Sequence, residues 1–501
     1  MTPTEETPYE ALIAHTARTA ALSQTAGLLS WDQETMMPRG GEETRAEQMG
    51  ALSAVTHARS TDPRIGDWLE AIDEGALGER ERANLRRIRR SFTRASRIPE
   101  RLAEEIARTT SKAQSVWARA RGEDDFQAFA PVLETVVRLR REEAEVLTPG
   151  RGASGADLYD ALLDDYEPGM KTADLAAMFD ALRPALVSLR ERIAGSGREV
   201  PKLSGSYGAD AQMQVSRAIC EAFGYDFSRG RLDLSTHPFS MGMGPGDVRI
   251  TTRVAENDPF NCLYSTAHEI GHALYEQGLP PYALEPAGGY VSMGVHESQS
   301  RMWENQIGRS RAFADWLHPR MGAFPDYDLP DADALYACVN RVETGFIRTE
   351  ADEVHYNLHV MLRFALERDL ISGALEVADL EDAWNERFER DFGLAVPKAS
   401  LGVLQDVHWS VGLFGYFPTY TLGNVFAAEL FARMKDDLGD IDAMARSGEL
   451  RPVLDWLRKR VHARGSHLPP TELMEEAVGH APTPGPLIDY LEGKFGALYD
   501  L

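Results

Sequence analysis

The chain is predicted to be mainly α-helical with one small β-sheet. Three observations carry that expectation. Apolar residues recur at helical spacing along most of the sequence, and the clear alternation falls in Gly230–Val254. No stretch approaches the ~18 apolar residues of a membrane span. At 501 residues, 43% hydrophobic and 26% charged, the composition is that of a folded protein and excludes general disorder and low-complexity scaffolds. Length alone suggests about three domains. No linker-like segment or internal repeat divides the sequence, so one intertwined domain over 1–501 is expected.

The N-terminus, Met1 with Glu5, Glu6 and Glu10, has no basic or apolar leader, which argues against secretion. The three cysteines, Cys220, Cys262 and Cys338, form no disulfide framework and fit a reducing cytoplasm. Against 53 Lys and Arg stand 78 Asp and Glu, a formal charge of −25. Such a surface repels phosphate backbones, so nucleic acid is not an expected partner, and without a long apolar run neither is a membrane.

Leu85, Ile88 and Phe92 mark one helix; Leu102, Ile106 and Ala113 mark the next, restarted at Pro99. The arginines Arg86, Arg87, Arg89, Arg90, Arg94 and Arg97 interleave with the first stripe and read as a solvated helix face. Leu147–Gly155, Ala194–Gly208 and Ala481–Pro486 read as loops. Within Gly230–Val254, Leu232/Leu234, Phe239/Met241 and Val248/Ile250/Thr252 alternate, with Gly242, Gly244, Pro245 and Gly246 between the last two sets. Two or three short strands with a hairpin at the glycines are expected.

His268-Glu269-Ile270-Gly271-His272 follows, on a helix opened by Asp258-Pro259 and stopped by Gly278, Pro280 and Pro281. Leu263, Ile270 and Leu274 should bury one side of it. Residues four apart share a helix face, so both imidazoles point at one site, the geometry of two ligands to a tetrahedral zinc ion. Glu269 is rotated to reach a water on that ion and to act as its general base. Hydrolytic zinc sites take three protein ligands. The run His296–Arg301 offers Glu297 as the third, with Glu304 and His296 as competitors, while Arg301 is placed to hold a neighbouring carboxylate. His355 and His359 repeat the spacing without the glutamate and read as packed or supporting histidines.

These residues, with four further segments in order, resemble the carboxypeptidase Taq family of metallocarboxypeptidases. The segments are Asp247-Val-Arg249-Ile-Thr251, His296–Gln299, Ile347-Arg348-Thr-Glu-Ala351-Asp352 and Gly402-Val-Leu-Gln405-Asp406-Val-His408-Trp409; Trp31-Asp32-Gln33 with Pro38 and Gly40 also fits. The resemblance implies a neurolysin-like zincin fold, many helices around a deep cleft with the small sheet at its edge. Residues 1–150 would flank the cleft and 230–424 would form the catalytic core. It further implies a homodimer that removes C-terminal residues with broad specificity from peptides with a free carboxylate. Glu297 matches the third metal ligand, Glu269 the base, and Arg348 the arginine that receives the terminal carboxylate. A guanidinium suits that task through two parallel charge-assisted hydrogen bonds. A pairing of Arg348 with Asp352 is the alternative, and Arg249 and Arg253 are rival anchors. The Asp247–Thr251 and Gly402–Trp409 segments, including Arg249, Asp247 and Gln405, are associated with closing the cleft end. In the aromatic run Gly412–Asn424, Tyr420 is the expected oxyanion donor, with His408 a second. Cobalt can replace zinc in such a ligand set. Two rivals share these features: an oligoendopeptidase with the same metal, and a non-catalytic acidic helical binding protein.

Overall fold

The computed structural model describes residues 6–148 and 154–501. The leader reading at Met1 and Glu5, and most of the expected Leu147–Gly155 loop, lie outside the described residues. Helices dominate, from Pro8–Thr35 to Gly485–Tyr499, and the described strands form a single three-stranded sheet. Strand β1 (Leu232–Leu234) pairs parallel with β3 (Val248–Thr252), and β2 (Ser240–Gly242) pairs antiparallel with β3 on its other side. The β2–β3 turn carries Gly244, Pro245 and Gly246, where the alternation breaks. Among the described residues no helix is long and apolar enough to cross a membrane.

The apolar interior falls into two clusters. The larger runs from Ala113 to Tyr499 and includes the buried Leu263, Ile270 and Leu274 of the Pro259–Gly278 helix. A small satellite joins Leu12, Ile65, Leu69, Leu85 and Ile88 from the N-terminal helices. Leu85 and Ile88 are thus core residues, with Phe92 packed against them, as their spacing predicts.

The arginine-rich Glu79–Arg97 helix leaves Arg86, Arg89 and Arg97 exposed, as a solvated face should, while several of its guanidiniums also reach neighbouring elements. Arg86 donates to the Ser466 and His467 carbonyls and Arg87 to that of Val291. Arg90 and Arg94 hold Asp164, and Arg94 also pairs with Asp165. A guanidinium carries its charge beyond a long apolar stem, so one face can both cover the satellite core and reach out to neighbours. Pro99 sits one residue earlier than expected, as the N-cap of the Glu100–Glu123 helix.

Candidate active site

Local sequence sets the first wall of the site. Asp258 accepts hydrogen bonds from the Phe260 and Asn261 amides, and Pro259 opens the helix that carries His268, Glu269 and His272. The second wall is Met293–Arg301, N-capped by Ser292 and continued by a π-helical segment, Met302–Gly308. Glu297, Arg301 and Glu304 lie four and three residues apart, one polar stripe on this wall. Bare glycines let the elements close up. A Cβ at Gly271 would meet Ser300 Cα and come within 2.6 Å of the Gln299 carbonyl, and one at Gly423 would lie 2.5 Å from Glu297 Cγ.

The structure brings His268, His272 and Glu297 together, with one ligand atom from each within 4.8 Å of the others. Glu297 Oε2 lies 3.7 Å from His268 Nε2 and 3.4 Å from His272 Nε2. Each ring is held through its far nitrogen. His268 Nδ1 donates to Glu304 Oε2 at 2.9 Å, and His272 Nδ1 donates to the His296 carbonyl at 3.1 Å. That fixes both tautomers with the Nε2 lone pair turned to the cluster. Of the sequence competitors, Glu304 therefore orients the His268 ring. Arg301 bonds Glu297 at 2.7 Å and reaches Glu304 at 3.4 Å.

Charges follow from these contacts. Burial opposes ionisation of Glu297, yet Arg301, His268 and His272 outweigh it and hold its carboxyl far below the usual range. Burial likewise opposes Glu304, but the His268 bond and Arg301 lower it to about 2. Burial, with His296 and His268 beside it, lowers His272 to about 3, so it is neutral at pH 7. Burial lowers His268 too, but Glu297 and Glu304 leave it raised. Two imidazoles and one ionised carboxylate, each oriented, suit a divalent cation of the zinc kind. Glu269 is buried, and among the described residues no hydrogen bond takes its carboxylate. Burial pushes it up to about 7.

A second group of charges adjoins the first. Asp406 is clamped between Arg348, at 2.9 Å, and the fully buried Arg363, at 2.6 Å. Burial opposes the Asp406 charge, but the two arginines hold its carboxyl far below its usual range. Arg348 Nη1 donates to the Tyr356 hydroxyl at 3.2 Å, and the Tyr356 ring lies 4.1 Å from Arg301 Cζ. One tyrosine thus joins the two groups. His408 Nε2 and the Tyr420 hydroxyl lie 3.3 Å apart, with the Tyr420 ring 4.9 Å from Arg348 Cζ. Burial lowers His408 to about 4 and raises Tyr420 well above its ordinary value. Both are therefore neutral at pH 7 and carry a proton that each can donate.

A model of the carboxypeptidase Taq (M32) metallopeptidase family matches residues 11–495. The chain belongs to this family. It is similar over its whole length to thermostable carboxypeptidase 1 of Thermus thermophilus, with 46% identity across 100% of both chains. Among solved structures it resembles the M32 carboxypeptidase of Deinococcus radiodurans R1, with TM-score 0.94 and 38% identity over 99% of this chain and 100% of that one. Trypanosoma cruzi metallocarboxypeptidase 1 matches with TM-score 0.94 and 36% identity over 97% and 99%. Metal-dependent carboxypeptidase is the activity class that membership gives this M32 chain.

The remaining expectations for the M32 chain divide. Arg348 does not pair with Asp352; it sits on a short turn, Arg348–Glu350, whereas Asp352 caps the Glu353–Ser372 helix and bonds His355. Gln405 is spent on backbone rather than turned to a ligand. It accepts from the Arg348 amide and donates to the Phe346, Leu401 and Gly402 carbonyls, a staple beneath Arg348. Asp247 and Arg249 close on one another at 2.8 Å, with the guanidinium over Trp31, and Arg253 bonds Asn261. His355 bonds Asp352 and Thr344, and His359 packs on Phe388 and Phe392; neither joins a metal cluster among the described residues. Sequence reasoning missed the Asp406 clamp, Arg363 and Tyr356. A charged residue inside the apolar run Val360–Leu366 was the available signal for Arg363.

Proposed function

We propose that the protein is a zinc-dependent exopeptidase that removes residues from the free carboxyl end of peptides with broad specificity. The supporting observation is the joining, through Tyr356, of the His268–His272–Glu297 cluster to a triad of two arginines and one aspartate. The triad carries one excess positive charge at a buried position beside His408 and Tyr420, which suits a substrate carboxylate. When bound by His268, His272 and Glu297, a divalent ion supplies Lewis acidity that brings the pKa of water down to about 7.

Glu269 takes the proton of the attacking water and returns it to the departing amine, for which a pKa near 7 and an unbonded carboxylate are fitting. Tyr420 and His408 donate to the carbonyl oxygen as charge builds on it. Arg348, backed by Asp406 and Arg363, receives the terminal carboxylate. Cobalt is an alternative to zinc on the same ligands. Kinship supports a neurolysin-like cleft, flanked by residues 1–150 and floored by 230–424 within one domain, and a homodimer. Three free thiols support a cytoplasmic setting.

The test is time-resolved mass spectrometry of one peptide and its C-terminally amidated twin, with and without a chelator. A ladder shortened from the carboxyl end, lost on amidation and on chelation, is expected. Internal cuts in both peptides would make the enzyme an endopeptidase, and chelator-insensitive cutting would remove the metal from the mechanism.

A further inference from the structure

We propose that His296 is a positioning residue that passes the grip of Glu276 on to the candidate ligand His272. The inference rests on the metal site just described. His296 Nε2 lies 3.0 Å from Glu276 Oε1, and a carboxylate accepts, so the ring proton sits on Nε2. That leaves His296 Nδ1 with a bare lone pair, 2.6 Å from His272 Nδ1. Two facing nitrogens share one proton, and here it belongs to His272. The same Nδ1–H also faces the His296 carbonyl at 3.1 Å, so one residue holds His272 through backbone and side chain together. The outcome is directional: Glu276 sets the His296 tautomer, His296 sets that of His272, and Nε2 of His272 is left open towards Glu297.

Three further features suit a built relay. Glu276 follows His272 by four residues on one helix, so the two share a face and His296 bridges them. Strand β2 has glycine where it passes this carboxylate, since a Cβ at Gly242 would lie 2.8 Å from Glu276 Oε2. Tyr275 and Tyr290 flank the His296 ring, with centroids 5.4 and 4.9 Å away, and limit its rotation. The two ligand histidines therefore differ: His268 rests directly on a carboxylate, His272 on a carboxylate one ring removed.

The experiment measures zinc dissociation constants by chelator competition in the full chain, together with the unfolding midpoint of each metal-free protein. His296→Phe keeps the ring bulk between the tyrosines and removes both nitrogens. Its dissociation constant is expected to rise by about 10–100-fold. Glu276→Leu should weaken zinc in the same direction. Glu276→Gln, which still offers an oxygen to His296 Nε2–H, should stay within about threefold of the parent. Should His296→Phe fail to fold, the Glu276 pair decides alone. Parental zinc affinity in His296→Phe or Glu276→Leu, whether or not the metal-free midpoint moves, overturns the relay while leaving the metal site intact. A parent chain that takes up no zinc overturns the metal site and the relay together.

Discussion

Replacing Gly423 by alanine tests how tightly the third candidate ligand is held. Gly423 lies on the Pro418–Leu438 helix, pressed against Glu297. An added Cβ would stand 2.5 Å from Glu297 Cγ and 2.6 Å from its Cβ, where ordinary contact begins at 3.4 Å. Glu297 or its helix must therefore retreat by about 0.9 Å, and overpacking of this kind costs about 1–3 kcal/mol. Metal–ligand distances tolerate only about ±0.2 Å, so the carboxylate leaves its position relative to His268 and His272. Gly423→Ala should lose zinc affinity by at least about tenfold, read by chelator competition, and the metal-free protein should unfold earlier in denaturant. Gly493→Ala is the control, because a Cβ there meets nothing within 4 Å. Parental zinc affinity and stability in Gly423→Ala would refute the argument that close helix approach sets the Glu297 position.

Three other outcomes are expected. Glu269→Gln should keep its zinc, measured by elemental analysis, and lose nearly all peptide hydrolysis; an active variant would reassign the base. Arg348→Ala should lower kcat/KM on free-acid peptides by roughly 2–5 kcal/mol and spare amidated ones, and an equal loss on both would detach Arg348 from terminus recognition. Glu367 is fully buried, accepts from Tyr159, Trp409 and the Gly415 amide, and is pushed up from 4.5 to about 7 by burial. Folding thus favours its protonated form: its share of stability is complete below pH 4.5 and is lost as pH rises through about 7. For a shift of that size the loss is on the order of 3 kcal/mol. Glu367→Gln should flatten the fall in denaturant stability over that window, and superimposable pH profiles would refute the assignment.

What the sequence revealed depended on the range of the signal. His268, Glu269 and His272 are set by one turn of one helix, and β3 by its alternation, so both were legible from spacing alone. Glu297 was legible because hydrolytic zinc chemistry asks for a carboxylate near the two histidines. Its partners were not, since the Glu304 bond to His268 spans 36 residues and could not be told from ligation without coordinates. Asp406 stood in a quoted motif, but its clamp needs Arg363, 43 residues away, and no local pattern announces such a pair. The backbone bonds of Gln405 were not legible either, because an amide in a functional segment can serve backbone as readily as substrate. For the arginines of Glu79–Arg97, periodicity assigned the face and left open what the ends of long side chains reach.

Those arms have a mechanical consequence. The N-terminal helices keep a greasy nucleus of their own and grip the remainder of the protein in part through guanidinium fingers on carbonyls and carboxylates. A seam of that kind is wetted and weakened by ions or urea sooner than a shared oily interior. Under rising denaturant the first rupture should peel this outer layer away like a hinged cover, while the two walls bearing the histidines and Glu297 stay folded beneath it.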